Sequence, residues 1–274
     1  MTCFVPLNNQ TLDITFIVLR PTVVIVDEAV EHLKHFSSAT RDLGCVASSI
    51  LKSIHGNMIL WYGAWTKESA QNRDLLTAAL VTLLAEILPG KAVLIEHGFY
   101  DAYAGETKDG SPAARFSTGD AVSMSVVIPR PGRPAAAGQN CYEEVSYANL
   151  ALFKSGFRKM EGAVSGVCLG CPALPRLVCF YVWKSLRHCY SWVLDSDCRS
   201  AALPYLDHLD LDIKYDVFRV AYVHDGRGRF PAGLVVPTRR PVLENTAPGK
   251  EAAAAVGQVG RLEGKSDKTN QIIK

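Results

Sequence analysis

The sequence predicts an α+β protein: a mixed, mainly antiparallel sheet with helices packed on it, followed by a disordered tail. Three observations carry this. Short β-branched and aromatic runs alternate with amphipathic helical stretches, in the order strand, helix, hairpin, helix, strand, strand. The apolar share is 48% against 20% charged, enough to build a core. After about His224 the texture changes to Gly, Pro, Ala and scattered charge, with too little apolar content to offset its ordering entropy.

Leu12 to Leu19 reads as a strand, with Ile14, Phe16 and Val18 on one face, and Arg20-Pro21 interrupts it. Val26, Val30 and Leu33 recur at helical spacing, so a helix is expected through Phe36, opened at Val23 or capped by Asp27. Cys45–Ile54 and Asn57–Trp65 are β-rich runs around His55-Gly56, a hairpin signal in which Gly supplies a positive φ. Thr66 is placed to cap a helix with an apolar stripe of Leu76, Leu80, Leu83 and Ile87, stopped by Pro89-Gly90. Lys91–Phe99 is the next strand, 101–118 a polar Gly-rich loop, and Ala121–Ile128 another strand. This order fits a ferredoxin-like βαββαβ sandwich or a profilin- or roadblock-like sheet framed by helices.

Residues 129–140 have linker composition. A helix is expected over Tyr147–Arg158, and a longer one from about Pro175 with Leu174, Val178, Val182, Leu186, Cys189 and Val193 as its buried stripe. Leu209, Leu211, Ile213, Tyr215 and Val217 alternate with Asp210, Asp212, Lys214 and Asp216, the clearest strand, and a phase slip after Val217 predicts a bulge. The expected organisation is one α+β unit over 1–224, with a sheet half at 1–128 and a helix-strand half at 141–224. A disordered tail over 225–274 completes it.

The net charge is +2, and from Asp225 onward nine Lys/Arg face five Asp/Glu, leaving 20 against 22 before it. A slightly acidic body carries no nucleic-acid footprint. The first residues lack the basic start and apolar core of a secretory signal. The apolar run Leu177–Leu194 is interrupted by Lys184, Arg187 and His188, so membrane insertion is not expected. A cytoplasmic or nuclear setting with reduced cysteines follows, and the sequon at Asn9 is silent.

Two constellations could carry chemistry. Cys168-Leu169-Gly170-Cys171 has the spacing of a zinc half-site, although no second matched pair accompanies it. The segment 97–120 gathers His97, Asp101, Glu106, Asp109 and Asp120 as a candidate ligand loop for acid–base work or a hard cation. The bland reading is a solvated turn that uses Gly, Asp and Ser for backbone reasons. Walker, GxGxxG, HExxH and GxSxG motifs are absent, and no cofactor is implied.

The stretches CFVPLNNQTLDITFIVLRPTVV, LGCVASSILKSIHGNMILWYGAW, FYDAYAGETKDGSPAARFSTGD, VWKSLRHCYSWVL and DIKYDVFRVAYV resemble a plant-specific family of uncharacterised proteins, a domain of unknown function. That resemblance spans roughly residues 3–223 and implies one family unit, with no catalytic residue, cofactor or substrate attached. The sequence alone therefore favours a non-enzymatic interaction or regulatory module with an unidentified protein partner. The alternatives are an enzyme or small-ligand binder using 97–120, and a zinc protein built on Cys168 and Cys171.

Overall fold

The computed structural model describes residues 1–7, 12–22, 24, 26–67, 70–129, 141–194 and 211–225, all within the unit Met1–Val236. The expectations for a linker at 129–140 and a tail beyond 225 fall almost wholly outside these residues.

The first half opens with β1 (Thr2–Pro6) and continues as β2 (Leu12–Pro21), α1 (Val26–Ala39), β3 (Cys45–Ser53), β4 (Ile59–Thr66), α2 (Ala70–Ile87) and β5 (Ala92–Thr107). The second repeats that order as β6 (Ala113–Ser117), β7 (Ala121–Pro129), α3 (Cys141–Gly156), β8 (Ala163–Cys171), β9 (Arg176–Trp183), α4 (Leu186–Leu194) and β10 (Leu211–Asp225). A 3-10 turn, Phe157–Lys159, follows α3.

Eight strands close into one antiparallel barrel in the order β10-β3-β4-β2-β5-β8-β9-β7. Within it, β5-β2-β4-β3 and β10-β7-β9-β8 each have the ferredoxin-like order, the first strand central and the second at an edge. The ferredoxin-like expectation therefore holds for the first half and recurs, unforeseen, in the second. The profilin- or roadblock-like alternative is not the observed order.

Side chains alternate between the two faces of each strand. One set fills the lumen, including Ile14, Phe16, Leu60, Tyr62, Leu169, Phe180 and Phe218. The lumen is completed by a ribbon in which β1 pairs antiparallel with β6, contributing Cys3, Phe4, Val5, Ala114 and Phe116. Phe116 lies 6.1 Å from Tyr62 and 5.6 Å from Phe180, centroid to centroid, and Tyr62 donates to the Phe4 carbonyl at 2.6 Å. Neither ribbon strand was foreseen, because five residues give periodicity too little to act on.

The opposite set faces the helices. Ile17, Leu19, Ile50, Trp61 and Trp65 pack under α1 and α2, and Trp61 meets Phe36 edge-on while its indole N–H donates to Ser37 Oγ at 2.9 Å. Cys168, Cys179, Trp183 and Val217 pack with Phe153, Phe157 and Cys189 on the second half.

Three further expectations are corrected. The helix expected from Pro175 is β9 followed by α4, whose start is marked by Ser185 Oγ accepting the His188 N–H at 3.4 Å. Both faces of β9 are buried, so apolar residues run unbroken from Leu177 to Trp183 and its period cannot be told from a helix. The loop expected over 101–118 is the second half of β5, a turn, and β6. The bulge of β10 falls between Val220 and Tyr222 against β3, whereas pairing with β7 runs unbroken from Leu211 to Arg219. The hairpin holds, but its connection is the longer run of residues 54–58, in which Gly56 does not take the expected positive φ.

Cys45 sits buried at the start of β3, its thiol donating to the Ala47 carbonyl at 3.2 Å, and burial pushes its pKa from 9.0 up to about 12. A folded-state pKa above the unfolded one gives stability that is full below pH 9 and lost as pH rises towards 12. Three units correspond to about 4 kcal/mol. Cys45→Ala is expected to flatten the alkaline limb of a stability–pH curve measured by urea unfolding at pH 8–11. An unchanged limb would refute the assignment.

Candidate functional site

The outer face of β2, β4 and β5 beneath α2 holds the polar groups that an ordinary core would exclude. Asp13 begins β2 with its side chain only 3% exposed, and Arg73 of α2 grips it with Nε to Oδ2 at 3.1 Å and Nη2 to Oδ1 at 2.5 Å. A fork of this kind is strong because two charge-assisted bonds are made in a fixed plane. The same guanidinium reaches Asp101 Oδ1 at 3.4 Å, and Lys67 lies 3.6 Å from that atom. Hydrogen bonding to Asp13 holds the Arg73 pKa above its usual value. The guanidinium also stands 6.0 Å over the Phe99 ring.

Two cavities flank this ion pair. One lies between α2 and the sheet, walled by Thr15, Ile17, Leu80, Leu84, Leu94, His97 and Phe99, and as it stands holds space for about one water molecule, ≈ 10 Å³. Thr15 is 2% exposed, and its Oγ1 is buried without a hydrogen-bond partner among the described residues. A buried hydroxyl left unpaired costs about 1–3 kcal/mol, and the space beside Thr15 takes about one water molecule. His97 pairs with Ile17 across the β2–β5 ladder, which sets its imidazole into the same wall. The second cavity measures ≈ 150 Å³ and is bounded by Asp13, Leu43, Gly44, Trp65, Thr66, Asn72, Arg73 and Leu76.

The residues singled out in 97–120 do not converge. His97 and Asp101 alternate on the outer face of β5 and reach the α2 cleft. Glu106 lies at the far end of β5, 3.6 Å from Arg158. Asp109 accepts the Ser111 N–H at 3.0 Å, and Asp120 accepts the Ser117 N–H at 2.7 Å, so both hold turns. Cys168 and Cys171 sit three apart on β8, so the strand's alternation sends Cys168 to the outer core and Cys171 to the lumen. That spacing chelates from a turn, not from a strand. Cys168 instead meets Cys179 of β9, sulfur to sulfur 3.7 Å. Among the described residues no cluster of three potential metal ligands occurs.

Thr15, Asp13 and Arg73 were not anticipated. The available signal was Asp13 itself, a carboxylate inside the apolar run LDITFIVL, which a buried strand tolerates only with a partner.

Residues 98–218 match a family described as a Domain of unknown function (DUF7392). No curated protein matches the chain. Among solved structures, an anthrone oxidase-like protein superposes with a TM-score of 0.62 at 12% identity, over 85% of this chain and 100% of that one. A putative monooxygenase from Fusobacterium nucleatum subsp. nucleatum gives a TM-score of 0.55 at 10% identity, over 79% and 95%. At such identities the likeness is one of fold. It nevertheless corrects the expectation of a non-enzymatic interaction or regulatory module: the two solved structures, which share this architecture, are an anthrone oxidase-like protein and a putative monooxygenase. No helix among the described residues is long and apolar enough to cross a membrane.

Proposed function

We propose that the protein binds a small, largely apolar organic molecule in the cleft beneath α2 and acts on it as an enzyme, with oxidation the reaction to test first. The observation that carries this reading is the Thr15 hydroxyl, buried without a partner among the described residues in an apolar wall shared with His97. Apolar pockets with a few convergent polar groups are the usual form of a small-molecule site. Thr15 would hold a ligand oxygen, and His97 would take up a proton from it, since imidazole is the side chain suited to proton transfer near neutral pH. Oxidation is suggested by the names of the two proteins with this fold, an anthrone oxidase-like protein and a putative monooxygenase. Asp101 belongs to this site through Arg73 rather than through a loop. The resemblance to a plant-specific family makes plant extracts the place to seek the natural ligand, in the cytoplasm or nucleus.

The test, run under air, uses anthrone as probe substrate, a molecule that enters only if α2 moves off the sheet, since the cavity as it stands takes about one water. Oxygen uptake above the protein-free rate is expected, with Leu84→Trp, which fills the cleft wall from α2, and His97→Gln each lowering it at least about tenfold. Leu84→Trp should also abolish probe binding seen by calorimetry. Uptake and binding that survive Leu84→Trp would place the chemistry elsewhere.

A further inference from the structure

The outer face of the second half holds an arrangement that the first half lacks. Ile50 and Trp61 face each other across β3–β4 beneath α1, and the Trp61 indole donates to Ser37 of that helix. At the corresponding place beneath α3, Cys168 and Cys179 face each other across β8–β9. Both thiols are buried, Cys168 at 0% and Cys179 at 4% exposure. Their sulfurs are 3.7 Å apart, and Cys179 donates to Asn149 Oδ1 of α3 at 3.1 Å. Asn149 Nδ2 donates in turn to the Tyr103 hydroxyl of β5 at 2.8 Å, and Tyr103 hydrogen-bonds Cys168. The four side chains close a ring. A thiol has one proton to give, so with Cys179 donating to Asn149, the S–H between the sulfurs belongs to Cys168.

We propose that Cys168 and Cys179 are a redox-active pair that a hydroperoxide, hydrogen peroxide in the simplest case, oxidises to a disulfide joining β8 to β9. Directly opposed residues on antiparallel strands have Cα atoms about 4.5 or 5.5 Å apart, inside the roughly 4.4–6.8 Å span of disulfides. Bridging therefore needs side-chain rotation and no movement of the backbone. Cys179 attacks first. The bond from Cys168 holds the Cys179 pKa below its usual value, while the same bond raises that of Cys168. The Cys179 sulfur takes one peroxide oxygen as the O–O bond breaks, and the departing hydroxide leaves as water with the thiol proton. Cys179 is then a sulfenic acid. The Cys168 sulfur attacks that of Cys179, forming the S–S bond and breaking S–O, and the hydroxyl leaves as water with the Cys168 proton. Two thiols give up two electrons, and one peroxide accepts them to become two waters. Tyr103, 37% exposed, is the member of the ring that reaches solvent.

The test exposes the full chain to hydrogen peroxide, alkylates the remaining thiols in denaturant and maps the peptides by mass spectrometry. A Cys168–Cys179 disulfide is expected, reversed by dithiothreitol, with both thiols lost about tenfold faster than Cys45 and Cys189. Those two are also buried but bonded to oxygen, Cys45 to the Ala47 carbonyl and Cys189 to the Tyr215 hydroxyl. Cys168→Ser keeps a hydroxyl in the ring and removes the second sulfur. In that variant Cys179 should stop at the sulfenic acid and be labelled by dimedone. Should Cys168→Ser fail to fold, the mapped disulfide and the rate ratio in the unaltered protein decide alone. Loss of all four thiols at one rate or of none, or a disulfide from either cysteine to a different partner, would overturn the pair. So would Cys179 oxidised in the unaltered protein without a bond to Cys168. A folded Cys168→Ser variant that takes no dimedone would overturn Cys179 as the first attacker.

Discussion

Arg73→Met is expected to destabilise the fold by about 3–5 kcal/mol, the typical cost of removing one partner from a buried ion pair. The loss arises from what is left behind. Asp13 would remain in the outer face of β2, 3% exposed, with its forked donor gone. The urea midpoint should fall without a change in slope, because the folded state buries nearly the same surface. Adding Asp13→Asn to Arg73→Met should recover part of the loss by removing the stranded charge. A double variant no more stable than Arg73→Met would show that Arg73 contributes through packing of its stem over Phe99 instead.

Phe116→Ala carries the second large effect, about 3–5 kcal/mol. Phe116 is 1% exposed and wedged between Tyr62 and Phe180 in the lumen, where its neighbours are held by a closed ladder and cannot collapse inward. The expected signature is a lowered thermal midpoint together with new binding of xenon or benzene, as apolar voids in proteins show. A loss below about 1 kcal/mol would mean that the β1–β6 ribbon shifts to fill the gap.

Much of the first half was legible because its helices face water on one side and its strands are β-branched or aromatic runs separated by turn residues. The stripe Val26, Val30 and Leu33 shows the first kind of signal, and the hairpin around Gly56 the second. Where a strand buried on both sides lacks such cues, the pattern disappears: β9 is apolar at consecutive positions, and β8 is mostly Ala, Gly, Ser and Cys with two Val and one Leu, which gives little β signal. Polarity misled in the opposite direction over β5, whose His97 and Asp101 look like loop residues yet stand on the strand face beneath α2. The site was least legible of all. Asp13 and Arg73 are 60 positions apart, and Trp65 comes beside Asp13 only through sheet pairing. Composition and periodicity do not encode such pairings.

The seams of the barrel have a consequence for how the chain folds. Each half ends in two strands, β3 and β5 or β8 and β10, whose outer hydrogen bonds are made only by the other half. A half synthesised alone would expose two long, unpaired edges, the surfaces along which sheets aggregate. Two separately expressed halves should therefore recognise each other through those edges. In the intact protein, β10 must return to β3 across more than half the sequence before the ring can shut. Contacts so distant along the chain carry a large closure entropy, so folding is expected to be slow and to finish with that last pairing.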